Sequence, residues 1–176
     1  MNRVELEQFM ESYGSDILSF CKYLTKNKEI AEDLCQDTFV KGFEMIDRIE
    51  NESHAKNFFL SIAIKLWKNK KRKFAWRSRI FDQKIIPMSE YEMELTGIEN
   101  TPEKEAIKSE EIQVIRNCVN KLPEKKRLVI LLYYVEGLKE KEIANVLKLP
   151  LGTVKSRLHQ AKKDLEVMLS KNQMFK

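Results

Sequence analysis

The apolar spacing between Glu142 and His159 leaves little freedom for the fold of the C-terminal third. Glu142-Ile-Ala-Asn-Val-Leu147 reads as a short helix, and Pro150-Leu-Gly152 as a tight turn. A second helix then runs on from Pro150, whose missing N–H costs nothing at a helix start. A rotation of 100° per residue puts Leu151, Val154, Leu158, Ala161 and Leu165 on one stripe. The same rotation points Gly152, Lys155, Ser156, His159, Gln160 and Lys163 away from it. Two helices joined this way, the second with a basic, hydrogen-bonding outer face, have the pattern of a helix-turn-helix that places its second helix in a DNA major groove. Arg157 falls at the margin of the outer face. It is expected to hold a phosphate or an internal acid more than a base.

The rest of the chain is also predicted to be helical. Gly and Pro are scarce, with five and four among 176 residues. Leu, Ile, Lys and Glu dominate, which favours helix over sheet. A first helix is expected over Val4 to Thr25, broken near Gly14, with Phe9, Tyr13, Ile17, Phe20 and Leu24 facing a core. A second is expected from Lys28 to Ile46, its inner side carrying Ile30, Ala31, Leu34, Thr38 and Met45. A third is expected from His54 to Lys73, capped by Ser53, with Ala55, Phe58, Phe59, Ile62 and Leu66 inward. Trp67 lies off that stripe. Between Ser78 and Ala106 the periodicity decays, and Pro87, Gly97, Pro102 and many Glu residues indicate a linker. Helices resume near Glu105. The segment Leu128, Ile130, Leu131, Leu132 and Tyr134 is expected to be the centre of a small domain, its helix ended by Gly137.

Charge divides the chain at the same places. Residues 1–53 hold twelve acids and six bases, and residues 54–81 hold nine bases and no acid. Residues 82–111 return to nine acids and three bases, and residues 112–176 carry fourteen bases and six acids. Two separate basic surfaces joined by an acidic connector follow from this pattern. The expected architecture is all-α, with two small helical domains, 1–78 and 107–176, and a flexible acidic linker at 79–106.

Several classes of protein are excluded. There are only two His, no Gly-rich phosphate loop and no Cys/His cluster, so no catalytic residue, cofactor or metal site is expected. Cys21, Cys35 and Cys118 read as free or buried thiols of a reducing cytoplasm. No secretory signal and no run of ~20 apolar residues is present, so a cytoplasmic protein without membrane insertion is expected.

Several segments together resemble the bacterial sigma factors of the extracytoplasmic-function (ECF) type. Leu122-Pro-Glu-Lys-Lys-Arg127, Tyr133-Tyr-Val-Glu-Gly-Leu138 and Gly152-Thr-Val-Lys-Ser-Arg-Leu158 are similar to that family's C-terminal domain. Ala31-Glu-Asp-Leu-Cys-Gln-Asp-Thr-Phe39 resembles its segment for gripping core RNA polymerase, and Phe58-Phe-Leu-Ser-Ile-Ala63 the start of its promoter −10 helix.

The resemblance implies a promoter-specificity subunit that is not an enzyme. Asp33, Leu34, Gln36, Asp37 and Phe39 would meet the β′ coiled coil of the polymerase. Asp33, Gln36 and Asp37 share one helical face, while Leu34 and Phe39 belong inside the domain or at the interface rim. Lys65, Trp67, Lys68, Lys71, Arg72, Phe74 and Trp76 would hold the −10 element, where cations suit the backbone and aromatic faces suit unstacked bases. The loop from Arg48 to Lys56 would capture one such base. Gly152, Thr153, Lys155, Ser156, Arg157, His159, Gln160 and Lys163 would read the −35 element.

Two departures stand out: Lys65 and Asn69 occupy places where the family commonly has Asn and Asp, and Phe58 stands where Trp is usual. The family implies further partners: the polymerase β flap, promoter DNA and an anti-sigma factor. It implies a monomer when free and a role in a stress or envelope response. A dimeric helix-turn-helix repressor explains the C-terminal motif but neither the basic aromatic run nor the Asp33–Asp37 face.

Overall fold

A computed structural model describes residues 3–49, 52–81 and 104–171. Most of the expected linker therefore lies outside the described residues. All regular structure among the described residues is helical: α1 (Arg3–Thr25), α2 (Lys28–Glu44), a 3₁₀ turn (Ile46–Arg48), α3 (Glu52–Phe81), α4 (Lys104–Lys121), α5 (Glu124–Ile130), a π-helical turn (Leu131–Val135), α6 (Glu140–Leu147) and α7 (Leu151–Ser170). The chain forms two units: α1 to α3 make the first, and α4 to α7 the second. Among the described residues, no helix is long and apolar enough to cross a membrane.

The first unit is a three-helix bundle around aromatic side chains. Phe9, Ile17, Phe20 and Leu24 of α1, Leu34 of α2, and Phe59 and Leu60 of α3 are all at most 1% exposed. The Phe59 ring stacks on Phe9 at 4.8 Å and tilts against Phe39 at 5.2 Å. Burying one such ring contributes about 1.5–3 kcal/mol. Helix α1 runs unbroken through Gly14, contrary to the expected break. Its stripe is packed on both sides of that residue, which outweighs the ~1 kcal/mol that a helical glycine costs. The α1–α2 corner is fixed by Asn27, whose side-chain oxygen accepts from the Ile30 N–H at 2.9 Å. Lys56 bridges α3 to α1 through Asp16 at 2.8 Å.

Helix α3 departs from expectation at both ends. It begins at Glu52, so Ser53 lies within the first turn and is not the cap, and it continues past Lys73 to Phe81. Its buried arc is also wider than one stripe. Ala55, Phe59, Leu60, Ile62, Ala63, Ile64 and Trp67 are all buried. Both α1 and α2 pack on this helix, and two neighbours cover more of its circumference than one.

The second unit is built round Leu128, Val129, Ile130, Leu131 and Leu132, all buried, with Ile143, Val146, Val154, Leu158 and Ala161 closing over them. Tyr134 belongs to the expected apolar centre but is 60% exposed. The reason is local: the last turn widens to π geometry, with the Glu136 N–H reaching the Leu131 carbonyl at 3.1 Å. That widening shifts the helical phase, and Tyr134 turns outward. Gly137 then ends the element at φ +68°, as expected. Lys126 ties α5 to Asp164 of α7 at 2.7 Å.

Cys21, Cys35 and Cys118 are buried thiols. A side-chain hydrogen bond with Cys21 lowers the Cys35 pKa from its usual value, against burial, which raises it.

The link between α6 and α7 is Lys148-Leu149-Pro150, two residues earlier than the sequence suggested. Pro150 caps α7 from outside, and Gly152 lies inside its first turn. The bend is made by Lys148, which takes the left-handed conformation at φ 53°, ψ 51°. The Leu149 N–H then reaches the Ala144 carbonyl at 3.0 Å. A side chain in that region costs about 1 kcal/mol that glycine avoids. Lys148→Gly is therefore expected to stabilise the second unit by up to ~1 kcal/mol in urea denaturation. A loss of stability would mean that the lysine side chain, and not the backbone, holds the turn.

Candidate nucleic-acid interface

On α7, the middle of the stripe forecast from rotation is buried, with Val154, Leu158 and Ala161 at most 3% exposed, while Leu151 and Leu165 at its ends are half-buried. Gly152, Lys155, Ser156, His159, Gln160 and Lys163 are exposed together on the opposite face, while Thr153 and Arg157 are half-buried at its edges. No side chain caps the start of α7. Its first N–H groups, including that of the exposed Gly152, therefore form the positive end of the helix, beside Lys155. Lys155 has a loose partner in Glu140, at 3.9 Å. An exposed pair this long holds the lysine weakly and leaves it available to an anion. Glu142 holds the start of α6, its carboxylate accepting from the Lys139 N–H at 2.7 Å. On another side of α7, Lys162 sits 4.8 Å from the Tyr133 ring centroid and 5.5 Å from that of Tyr134.

On α3 the structure separates the candidate residues. Lys65, Lys68, Arg72 and Trp76 are exposed and recur at steps of three and four, so they form one outer row. Asn69 lies within that row, and its side-chain oxygen accepts from Arg72 at 2.7 Å. Lys71 is half-buried. Trp67 is 5% exposed and belongs to the core, so the expectation that it faces DNA is corrected. Its indole Nε1 has no hydrogen-bond partner in that core. Phe74 is half-buried and lies a quarter-turn or more away from the outer row, on the Trp67 side. Trp76, 64% exposed, is the one tryptophan that presents its face outward.

On α2, Asp33, Gln36 and Asp37 are exposed on one face, as their spacing requires. Leu34 is fully buried and packs inside the bundle, so it makes no surface contact. Phe39 is half-buried against Phe59. Two residues absent from the sequence reading extend the face: Val40 and Phe43 are 61% and 51% exposed. They follow Asp33, Gln36 and Asp37 at helical steps, which was the available signal. A third missed feature is the ion pair between Asp37 and Lys70 at 2.8 Å, linking α2 to α3. In the second unit, Arg127 is 8% exposed. Burial lowers its pKa and the nearby Glu124 opposes that shift. Among the described residues, no group of His, Cys, Asp and Glu is placed to hold a metal ion.

The molecule thus carries a helix-turn-helix with a polar outer row on one unit and a basic, aromatic helix on the other. This is the equipment of a DNA-reading transcription factor with two separate contact surfaces. Comparison with known families gives its place among them. The sigma-70 region 2 family matches residues 9–77, and the sigma-70 region 4 family matches residues 112–165.

The chain is 27% identical over 164 residues to the ECF RNA polymerase sigma factor SigW of Bacillus subtilis, covering 91% of this chain and 86% of that protein. It is 29% identical over 136 residues to the ECF RNA polymerase sigma-E factor of Escherichia coli, covering 76% and 71%. Its fold is similar to that of the sigma factor RpoE from Bartonella quintana, solved with the anti-sigma factor NepR. That match has a TM-score of 0.72 at 22% identity, covering 96% of this chain and 99% of that one. The chain belongs to the sigma-70 family, in its ECF group. It acts in promoter-specific initiation of transcription, and sigma factors are initiation factors rather than enzymes.

Proposed function

We propose that the exposed face of α2 docks on core RNA polymerase, the outer row of α3 holds the opened −10 element, and the outer row of α7 reads the −35 element as duplex. The observation that carries this reading is the presence of two exposed cationic rows, one on each unit. Lys65, Lys68 and Arg72 make one, and Lys155 and Lys163 with His159 the other. The rows differ in chemistry. The α7 row offers Ser, His, Gln and Lys, which suit base edges in a major groove. The α3 row adds an exposed tryptophan, which suits unstacked bases. Unstacking a base costs a few kcal/mol. Two modest DNA contacts joined through one chain raise each other's effective concentration and help to offset that cost.

Run-off transcription with purified core polymerase on genomic fragments tests the reading and identifies promoters at once. Discrete transcripts that depend on this chain are expected. Their absence, with a chain that dimerises in gel filtration, would favour a repressor. Lys155→Ala or His159→Ala is expected to cost about 1–3 kcal/mol on promoters whose −35 base it contacts. The loss should follow −35 sequence more than −10 sequence in a panel of promoter variants. An equal loss on every promoter would assign the residue to phosphate.

An anti-sigma partner and a role in a stress or envelope response belong to the same proposal. The fold neighbours RpoE and CnrH were each solved with another protein, respectively the anti-sigma factor NepR and the cytosolic domain of CnrY. Exposed apolar side chains on both units, Val40 and Phe43 on one and Ile112 and Ile115 on the other, suit capture by such a partner.

A further inference from the structure

Two thiols that the proposed contacts do not use meet inside the first unit. Cys21 lies about one turn before the end of α1, and Cys35 about two turns into α2. These two helices pack on each other. Cys21 is fully buried, while Cys35, at 8% exposed, sits nearer the edge of the interface. A hydrogen bond joins their side chains. The corner between the helices holds them in place. Thr25 Oγ1 donates to the Cys21 carbonyl at 3.0 Å and accepts from the Asn27 N–H at 3.3 Å. Asn27 in turn caps α2 at the Ile30 N–H. Cys118, the third thiol, belongs to the second unit.

We infer that Cys21 and Cys35 form a redox-sensitive modification site, which hydrogen peroxide converts reversibly to a disulfide between α1 and α2, and that this bond weakens the hold of α2 on core polymerase. The second half rests on the docking reading of α2, and the first stands without it. Burial by itself makes a cysteine inert. Three features set this pair apart. The partner sulfur is already within hydrogen-bond reach, so no segment of chain has to travel to close the bond. Cys35 is the sulfur nearer solvent, and its hydrogen bond with Cys21 holds its pKa below the usual thiol value, which raises the share of reactive thiolate. Cys21 stands behind it as the resolving thiol.

The steps balance. The Cys35 thiolate attacks one peroxide oxygen, the O–O bond breaks, and the departing hydroxide takes up a proton to leave as water. Cys35 is then a sulfenic acid. The Cys21 sulfur gives up its proton and attacks the Cys35 sulfur, and the S–O bond breaks to release a second water. The two thiols lose two electrons and the peroxide gains them. A covalent bond is shorter than the hydrogen bond it replaces, so closing it draws α2 toward α1. The same helix presents Asp33, Gln36 and Asp37 on its other side, and that face moves with it.

The test uses the full chain carrying Cys118→Ala, treated with hydrogen peroxide and freed of it before core polymerase is added. Mass spectrometry is expected to show the loss of two hydrogen atoms and a cross-link between the tryptic peptides that contain Cys21 and Cys35. Dithiothreitol should reverse both. Surface plasmon resonance is expected to show association with core polymerase about tenfold weaker for the oxidised chain, the order of an ordinary coupling between two sites. Cys35→Ala should abolish the cross-link and the sensitivity together, with far-UV circular dichroism unchanged. Cys21→Ala should leave Cys35 as a sulfenic acid that dimedone traps. A folded chain that resists peroxide sufficient to oxidise it in urea would overturn the site, as would disulfides formed only between molecules. Cross-linking with unchanged association would overturn its coupling to α2. If the reduced chain does not associate with polymerase while the cross-link still forms, the docking reading fails, the second half of the inference falls with it, and the modification site stands.

Discussion

Reversing Asp33 and Asp37 to lysine is expected to abolish association with core RNA polymerase while leaving the first unit folded. Both carboxylates are exposed on one face of α2, so neither supports the bundle by burial. Asp37 is paired with Lys70, but the two side chains are 53% and 37% exposed. Such a pair is worth ~0–1 kcal/mol. A cationic partner surface would instead meet two repulsive contacts in place of two attractive ones. Removing one partner of a desolvated charge pair costs about 2–5 kcal/mol, so a double reversal should lower affinity at least ~100-fold. Co-purification and surface plasmon resonance read the loss, and far-UV circular dichroism reads the fold. The charge swap Asp37→Lys with Lys70→Asp isolates the cause, because it restores the α2–α3 pair without restoring the acidic face. If the swap recovers polymerase binding, Asp37 acts through α3 and is not itself a contact. Undiminished binding by the double reversal would remove α2 from the docking surface altogether.

What the sequence could reveal depended on how far each interaction reaches along the chain. The outer row of α7 needed only a constant rotation per residue, and Lys155, Ser156, His159, Gln160 and Lys163 are exposed as that rotation requires. Failures came where a second segment decides the outcome. Trp67 looked outward because a single stripe was assumed, yet α3 has two helical neighbours and a broad buried arc. For Leu34 the motif left the domain interior and the interface rim both open, and packing against the neighbouring helices decides for the interior. The Asp37–Lys70 pair joins positions on two helices and has no local signature. The α6–α7 turn failed for another reason. Pro150 and Gly152 are strong turn formers, while the residue that actually bends the backbone, Lys148, carries no such signal. The same logic bears on function. The two exposed rows were legible because they are properties of single helices. The cleft lined by Asp37 of α2 and by Leu66 and Trp76 of α3 was not, since its lining comes from two helices.

Gly42→Ala is expected to destabilise the first unit severely, although the same change usually stabilises a helix. In an exposed helix, replacing glycine by alanine gains about 1 kcal/mol. At Gly42 an added Cβ would overlap Phe59 Cε1 and stand 2.6 Å from Cζ, far inside contact distance. The ring has no room to withdraw. Phe59 is fully buried, with Phe9 on one side at 4.8 Å and Phe39 near it at 5.2 Å. The glycine is therefore a matter of space between α2 and α3. Overpacking of this kind costs about 1–3 kcal/mol and more when the neighbour is pinned, so a loss of ~3 kcal/mol is expected. For a unit of this size that shifts the melting midpoint down by roughly 10–20 °C. Both tryptophans, Trp67 and Trp76, lie on α3, so their fluorescence during thermal denaturation reports on the first unit alone. Gly14→Ala supplies the control: nothing lies within 4 Å of its Cβ position, and it should raise the midpoint. Gly42→Ala combined with Phe59→Leu should recover part of the loss, a coupling expected only if the two residues compete for one volume. A Gly42→Ala variant as stable as the wild type would show that α2 can move off α3 at little cost. The acidic face of α2 would then have no fixed position relative to the basic row of α3, and the two could not present a single surface to polymerase and promoter.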